Sequence, residues 1–155
     1  MKICNYLIVL YSLTLFSCGP KTIFEKKTDL DSFWTYQKTL SFSFDITDTI
    51  PAHDILLDVE HSKDFFYQNI YTKVTTVFPD QKKVDHIISL NLTTQNNRWV
   101  GDCSAQKCKA ELVLSENIYF NQTGNYTIAL EQYGRKDTLA GIESMSLKVI
   151  QHREK

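Results

Sequence analysis

Apolar residues recur at every second position through most of this chain, and that period suits strands and argues against long amphipathic helices. In TLSFSFDI, Leu40, Phe42, Phe44 and Ile46 alternate with Ser41, Ser43 and Asp45. Ile55, Leu57 and Val59 repeat the pattern, and Ile70, Thr72, Val74, Thr76 and Phe78 share one face of a further run. The sets Val84, His86, Ile88 and Leu90, then Tyr126, Ile128 and Leu130, then Met145, Leu147 and Val149 do the same. Residues 98–100 and 110–114 are shorter candidates. Turn-forming residues at 48–51, Pro79-Asp80, Asn96-Asn97 and Thr123-Gly124 separate the runs. The best helical segment, residues 31–36, is short. The pattern predicts an all-β fold, an antiparallel β-sandwich of about eight or nine strands, jelly-roll or Ig-like, in a single domain.

The N-terminus has a different grammar. Lys2 supplies a positive end, an apolar run spans residues 6–16, and the small residue Ser17 precedes Cys18. The run is shorter than the roughly 20 residues a spanning helix needs, so it reads as a removed signal segment. Leu15-Phe16-Ser17-Cys18 resembles the lipobox of bacterial lipoproteins, although Phe16 is bulkier than the usual residue there. Residues 1–17 are then a lipoprotein signal peptide, and Cys18 carries a diacylglyceryl thioether and an acylated amino group. That covalent lipid is the only added group expected, and no other cofactor is. Each buried methylene contributes about 0.8 kcal/mol, so two or three acyl chains hold a protein at a membrane. The rival is an ordinary signal peptide with Cys18 as a structural thiol. Residues 18–31 read as the lipidated cysteine and a tether, reaching roughly 40 Å at most, that passes into a first edge segment, and residues 32–155 as the sandwich. Gly19 and Pro20 place no aspartate beside the anchor, and no acidic run follows it. The expected location is the cell envelope, on the periplasmic face of the outer membrane.

With Lys+Arg 17 against Asp+Glu 18, the chain has no basic excess with which to bind nucleic acid. Cys103 and Cys108, in DCSAQKC, suit a structural disulfide in an exported protein. Free thiols or a redox pair are the alternatives, though the spacing is wider than C-x-x-C. His53, His61, His86 and His152 form neither H-x-H nor H-E-x-x-H, and no metal site is expected. His86 lies on an apolar face and reads as a satisfied core histidine. The acid pairs Asp29/Asp31, Asp45/Asp48 and Asp58/Glu60 read as solvated or turn-capping groups. Calcium binding and glycosidase chemistry are the weaker readings. No G-x-S-x-G elbow or phosphate loop occurs, so no enzyme is expected. Aromatics are more informative. KDFFYQNIY crowds Phe65, Phe66, Tyr67 and Tyr71 together, and Trp99 follows a polar turn. Core and loop packing is the rival to a binding role for them.

Three segments taken in order carry a resemblance: SFSFDITDTIPAHDILLDVEHSKDFFYQNIY, NNRWVGD and GNYTIALEQYGRKDTLAGIESMSLKV. With the lipobox they resemble the gliding-motility lipoprotein GldH family of Bacteroidetes. The matching positions are Phe44, Asp45, His61, Tyr67, Asn69 and Ile70, then Trp99, Val100, Gly101, Gly124, Tyr126, Arg135, Leu139, Gly141 and Ile142. Glu60, Phe65 and Gly134 depart from the family's arginine, tyrosine and methionine, and Cys103 and Cys108 fall where a glycine-rich loop is expected. The resemblance implies a non-enzymatic envelope lipoprotein, an accessory to gliding motility and its associated secretion system. Its partners would be the membrane, through the N-terminal lipid, and other envelope gliding or secretion proteins. The candidate binding surface is His61, Phe65, Tyr67, Asn69, Tyr71, Trp99 and Arg135, since loop-borne aromatic and polar residues suit recognition. Alanine at Tyr67 and Trp99 is expected to cost partner binding without unfolding the domain. The alternative function is a carbohydrate-binding module whose aromatics stack on a cell-wall or surface polysaccharide.

Overall fold

Pleating sends successive side chains to opposite faces of a strand, and the alternation in the sequence becomes two facing sheets. The structure, a computed structural model, describes residues 19–153. The signal segment 1–17 and the lipidation site Cys18 lie outside the described residues. The strands in chain order are β1 (Thr22–Asp29), β2 (Phe33–Thr35), β3 (Leu40–Ile46), β4 (His53–Ser62), β5 (Asn69–Val77) and β6 (Lys83–Asn91). They continue as β7 (Asp102–Cys103), β8 (Lys107–Ile118), β9 (Gly124–Gln132), β10 (Thr138–Ala140) and β11 (Ile142–Gln151). No helix occurs among the described residues.

One sheet has the order β1-β11-β4-β8-β7 and the other β3-β9-β5-β6, with β10 and β2 as a separate pair. With the short β2, β7 and β10 set aside, every connection except β5–β6 crosses from one sheet to the other. Four strands in each layer with that connectivity make a jelly roll rather than an Ig-like sandwich. All strand pairs are antiparallel, with Phe42 opposite Ile128 in one sheet and Leu57 opposite Leu147 in the other.

The core is what the period predicts. Leu40, Phe42, Phe44 and Ile46 are buried while Ser41, Ser43 and Asp45 are exposed. Leu57, Val59, Leu130, Met145 and Leu147 meet them from three further strands and are wholly buried. Trp34 is equally buried, and its indole Nε1 donates to the Lys38 carbonyl at 2.8 Å.

Several sequence expectations change. Residues 22–29, within the segment expected to be a tether passing into an edge segment, are almost entirely strand and form β1 along the edge of β11. The polar EKKTD hides the strand because edge strands carry lysines that discourage further pairing. Residues 31–36 are not helical, because Asp31 and Ser32 take φ of 47° and 65° and turn the chain into β2. His86 is exposed, since β6 is a sheet edge and its inward side faces an open margin. Residues 98–100 supply only an isolated bridge, Thr93 to Trp99.

Candidate functional site

β4 finishes at Ser62 and β5 starts at Asn69, so residues 63–68 must fold over one end of the sandwich. Backbone bonds tie this loop on both flanks: Ser62 N to Gly141 O at 2.7 Å, Lys63 N to Gln106 O at 2.8 Å, and Leu92 N to Gln68 O at 2.8 Å. Phe65 turns inward and is buried, Phe66 is 87% exposed, and Tyr67 is half-buried. Tyr67 meets Phe65 and Phe66 edge-on, at ring separations of 5.7 and 5.3 Å.

Beneath the loop lies His61, the last inward residue of β4 and wholly buried. Its ring is 4.5 Å from Trp99 and 5.7 Å from Phe65. Nδ1 lies 2.8 Å from the Ser62 carbonyl and donates to it, while Nε2 has no partner. Burial lowers the proton affinity of the ring below that of an ordinary histidine and outweighs the Ser62 bond, so the imidazole is neutral. Cys108 is paired directly opposite His61 and is disulfide-bonded to Cys103. Gly101, at φ 81°, lets the chain pass against β8, because a Cβ there would stand 2.1 Å from the Lys109 carbonyl oxygen.

The residues named from sequence therefore divide. His61, Phe65, Tyr67 and Trp99 form one cluster, but His61 and Phe65 are its support rather than its surface. They are inward positions, and the loop closes over them. Trp99, half-buried on His61, supports the end as well. Asn69 and Tyr71 lie on the outer face of β5, where Asn69 Nδ2 donates to Ser89 Oγ at 2.7 Å and Tyr71 is 53% exposed. Arg135 is exposed in the turn between β9 and β10.

Phe33, Tyr36 and Tyr133 also stand exposed at this end and were not identified from sequence. Tyr36 Oη donates to Gly134 O at 2.6 Å, and Tyr133 N donates to Tyr71 O at 2.9 Å, so these tyrosines are joined to β5 and the β9–β10 turn. Phe66 was visible in the FFY run, but a loop has no period to say which ring points out.

Of the acid pairs, Asp29/Asp31 and Asp45/Asp48 are solvent-exposed and Asp48 caps a turn, whereas Asp58 and Glu60 are held by lysines. Asp58, on the outer face of β4 and nearly buried, has Oδ2 2.8 Å from Lys109 Nζ and 2.9 Å from Lys148 Nζ. Glu60 is 3.3 Å from Lys107 and 3.4 Å from Lys27. Burial opposes the Glu60 charge, but hydrogen bonds from the two lysines outweigh it and hold the carboxyl below its ordinary range. Among the described residues, no three His, Cys, Asp or Glu side chains converge as a metal site would require. A cleft of about 300 Å³ opens between the sheets where β6 faces β8, lined by Ile55, Val74, Ile88 and Leu114 with His86 at its margin.

A family model described as GldH lipoprotein matches residues 22–149, from the first residue of β1 into β11. A gliding motility lipoprotein GldH homolog of Christiangramia forsetii is 23% identical over 131 residues, covering 84% of this chain and 80% of that protein. The gliding motility lipoprotein GldH of Flavobacterium johnsoniae is 19% identical over 141 residues, covering 90% and 87%. Among solved structures, the infectious bursal disease virus VP2 subviral particle aligns with a TM-score of 0.39 and 17% identity, over 87% of this chain and 33% of that one.

Proposed function

The chain belongs to the GldH lipoprotein family, and from that premise we propose that it is a lipid-anchored envelope protein serving gliding motility through protein–protein contacts, with no chemistry of its own. Cys18 carries the lipid in this reading. The partners are other envelope proteins of the gliding machinery or its associated secretion system. Its place is the periplasmic face of the outer membrane, since Gly19 and Pro20 put no aspartate beside the anchor.

One observation carries the reading: the N-terminal end of the domain and its exposed aromatic end are opposite. Lys21 O accepts from Gln151 N at 2.8 Å, beside the start of β4. β4 then runs ten residues to the loop that bears Phe66, a rise of about 33 Å. A lipid at Cys18 therefore leaves Phe66, Phe33, Tyr36 and Tyr133 directed away from the membrane. Exposed aromatic anchors among polar neighbours are what a protein interface uses for most of its affinity.

A second reading rests on the outer face of β5 and β6. There Tyr71 is exposed beside a hydrogen-bonded row, Asn69 to Ser89 at 2.7 Å and Ser89 to Asn91 at 3.1 Å. An aromatic ring next to amides and hydroxyls could hold a sugar.

Crosslinking in cells followed by affinity purification separates the two. The Phe66→Ala variant should keep its melting curve and lose gliding or secretion partners, with affinity falling about 30-fold for an interface anchor. Undiminished capture by that variant would sink the interface reading. Binding to insoluble cell-wall polysaccharide that disappears in Tyr71→Ala would establish the sugar module instead.

A further inference from the structure

We propose that the end of the sandwich opposite the aromatic loops rests on the lipid bilayer itself, with Ile50 and Tyr119 set into the headgroup–acyl boundary. The inference rests on the lipid at Cys18 and adds to it an orientation and a contact surface.

The chain leaves almost no slack. Only Gly19, Pro20 and Lys21 separate Cys18 from β1, a reach of about 10 Å. Even these residues are held. Gly19 O accepts from Arg153 Nη2 at 2.8 Å, and Lys21 O accepts from Gln151 N at 2.8 Å. A flexible tether of fourteen residues would have allowed the domain to stand off and tumble. A strand that begins at Thr22 does not.

The surface brought to the bilayer is formed by the turns 47–52, 78–82 and 119–123, which all close strands at this end. Among the described residues, two large apolar side chains stand exposed on these turns, Ile50 at 83% and Tyr119 at 62%. Single apolar side chains on a surface need no explanation, but these two share the end from which the lipid emerges. Ile50 is also held outward: its backbone N–H donates to Asp48 Oδ1 at 2.9 Å, which sets the turn and leaves the side chain at its tip. Tyrosine is enriched at membrane interfaces, where its ring sits among acyl carbons and its hydroxyl among headgroups. Between the Ile50 turn and β1 lies a depression of about 360 Å³ lined in part by Ile23, Ile46 and Lys21. A lysine stem can lie along apolar surface there while its ammonium reaches a phosphate. Once the acyl chains hold the domain at the surface, these contacts form intramolecularly and need little affinity of their own.

Depth-dependent fluorescence quenching tests this on the full lipidated protein, in vesicles of phosphatidylethanolamine and phosphatidylglycerol carrying a shallow doxyl-labelled lipid. Ile50→Trp and Tyr119→Trp place reporters at the near end, and Phe66→Trp places one at the far end. The native Trp34 is wholly buried and Trp99 lies at the far end, so the unsubstituted protein supplies the background. Both near-end reporters should shift to the blue on vesicle binding and be quenched several-fold more than Phe66→Trp. Near and far reporters quenched alike, or none quenched while the protein floats with the vesicles, would overturn the orientation and leave the anchor standing. If the mass of the N-terminal peptide shows no lipid on Cys18 and the protein does not float, the anchor and the orientation fall together. Ile50 and Tyr119 are both exposed, so each substitution is compatible with folding and either variant can carry the test alone.

Discussion

Strand β4 starts on one buried histidine, His53, and carries a second, His61, one residue before its end, and the two surroundings show how differently the ends of one sandwich are made. At the near end, His53 meets Phe120 edge-on at 5.2 Å. Phe120 packs on Tyr126 at 4.8 Å, Tyr126 on Phe44 at 6.1 Å, and Phe44 on Phe24 at 5.5 Å. These rings sit on β1, β3 and β9 or directly after β8, so sheet hydrogen bonds set their positions. At the far end, His61 meets Trp99 and Phe65, both carried by loops. That cluster needs separate devices to hold it: tied loop backbones, Gly101 at positive φ and the Cys103–Cys108 bridge. A cluster built on loops opens more readily than one built on strands. The end that would meet a partner is thus the more adaptable one, and the end that would meet the membrane is the more rigid.

The largest expected effect separates the two clusters directly. Tyr126→Ala, at a position 1% exposed, should cost about 3–5 kcal/mol and lower the single unfolding transition. Trp99→Ala, at a half-buried ring, should cost about 2 kcal/mol. It should also raise amide exchange in residues 63–68 and 92–100 well before the strands respond. Urea unfolding with hydrogen exchange reads both, and equal costs with global exchange in each variant would break the comparison. The same result for Trp99 would restrict tests of binding to Phe66, whose removal leaves the cluster intact.

Reduction of Cys103–Cys108 comes next. Closing so small a loop contributes about 2 kcal/mol by the chain-entropy estimate, and Cys108 lies directly behind His61. A reducing agent should lower the urea midpoint and increase exchange at the far end only. A change in exchange around Tyr126 would contradict the division into two regions.

Acid sharpens the comparison with the smallest effect. Burial depresses the pKa of both His53 and His61. An unfolded histidine takes up its proton near pH 6.5 while the folded one does not. Stability is therefore fully present above about pH 6.5 and is lost as pH falls from there toward the folded pKa. Near His53, the Pro51 backbone and the carboxylates of Asp48 and Asp54 work against burial, whereas His61 has only the Ser62 carbonyl. His61 should titrate at the lower pH in an NMR titration of the imidazole signals. His61→Gln and His53→Gln should each remove part of the slope in urea midpoint between pH 7 and pH 5. A flat midpoint in the parent protein over that range would show that neither histidine is kept neutral.

Much of the fold was legible because the evidence for a strand is local. Leu40 to Ile46 and Tyr126 to Leu130 announce their inward faces within a few residues, and those positions are buried. The extent of β1 is hidden in the sequence for a physical reason. As an edge strand it is buried on one side only, and Glu25, Lys27 and Asp29 on its outer face carry no apolar signal. Asp58 and Glu60 looked like a solvated pair, because their lysine partners come from β1, β8 and β11 and are distant in sequence. Of the aromatic site, the residue types were readable and their orientation was not. His61 reads as surface beside the aromatic run, although it continues the inward set Ile55, Leu57 and Val59, a signal present in the period of β4.

Residue pattern alone was enough for the fold class and the family resemblance, since each depends on short stretches of chain. Three-dimensional contacts decided the rest. They made the sandwich a jelly roll, turned the tether into a strand, placed Phe66 outward and His61 inward, and set the N-terminal end opposite the aromatic one. The physical reason is common to all four. Alternation records which way a side chain points relative to its own strand, whereas neighbouring strands and opposite ends are set by pairings between residues scores of positions apart.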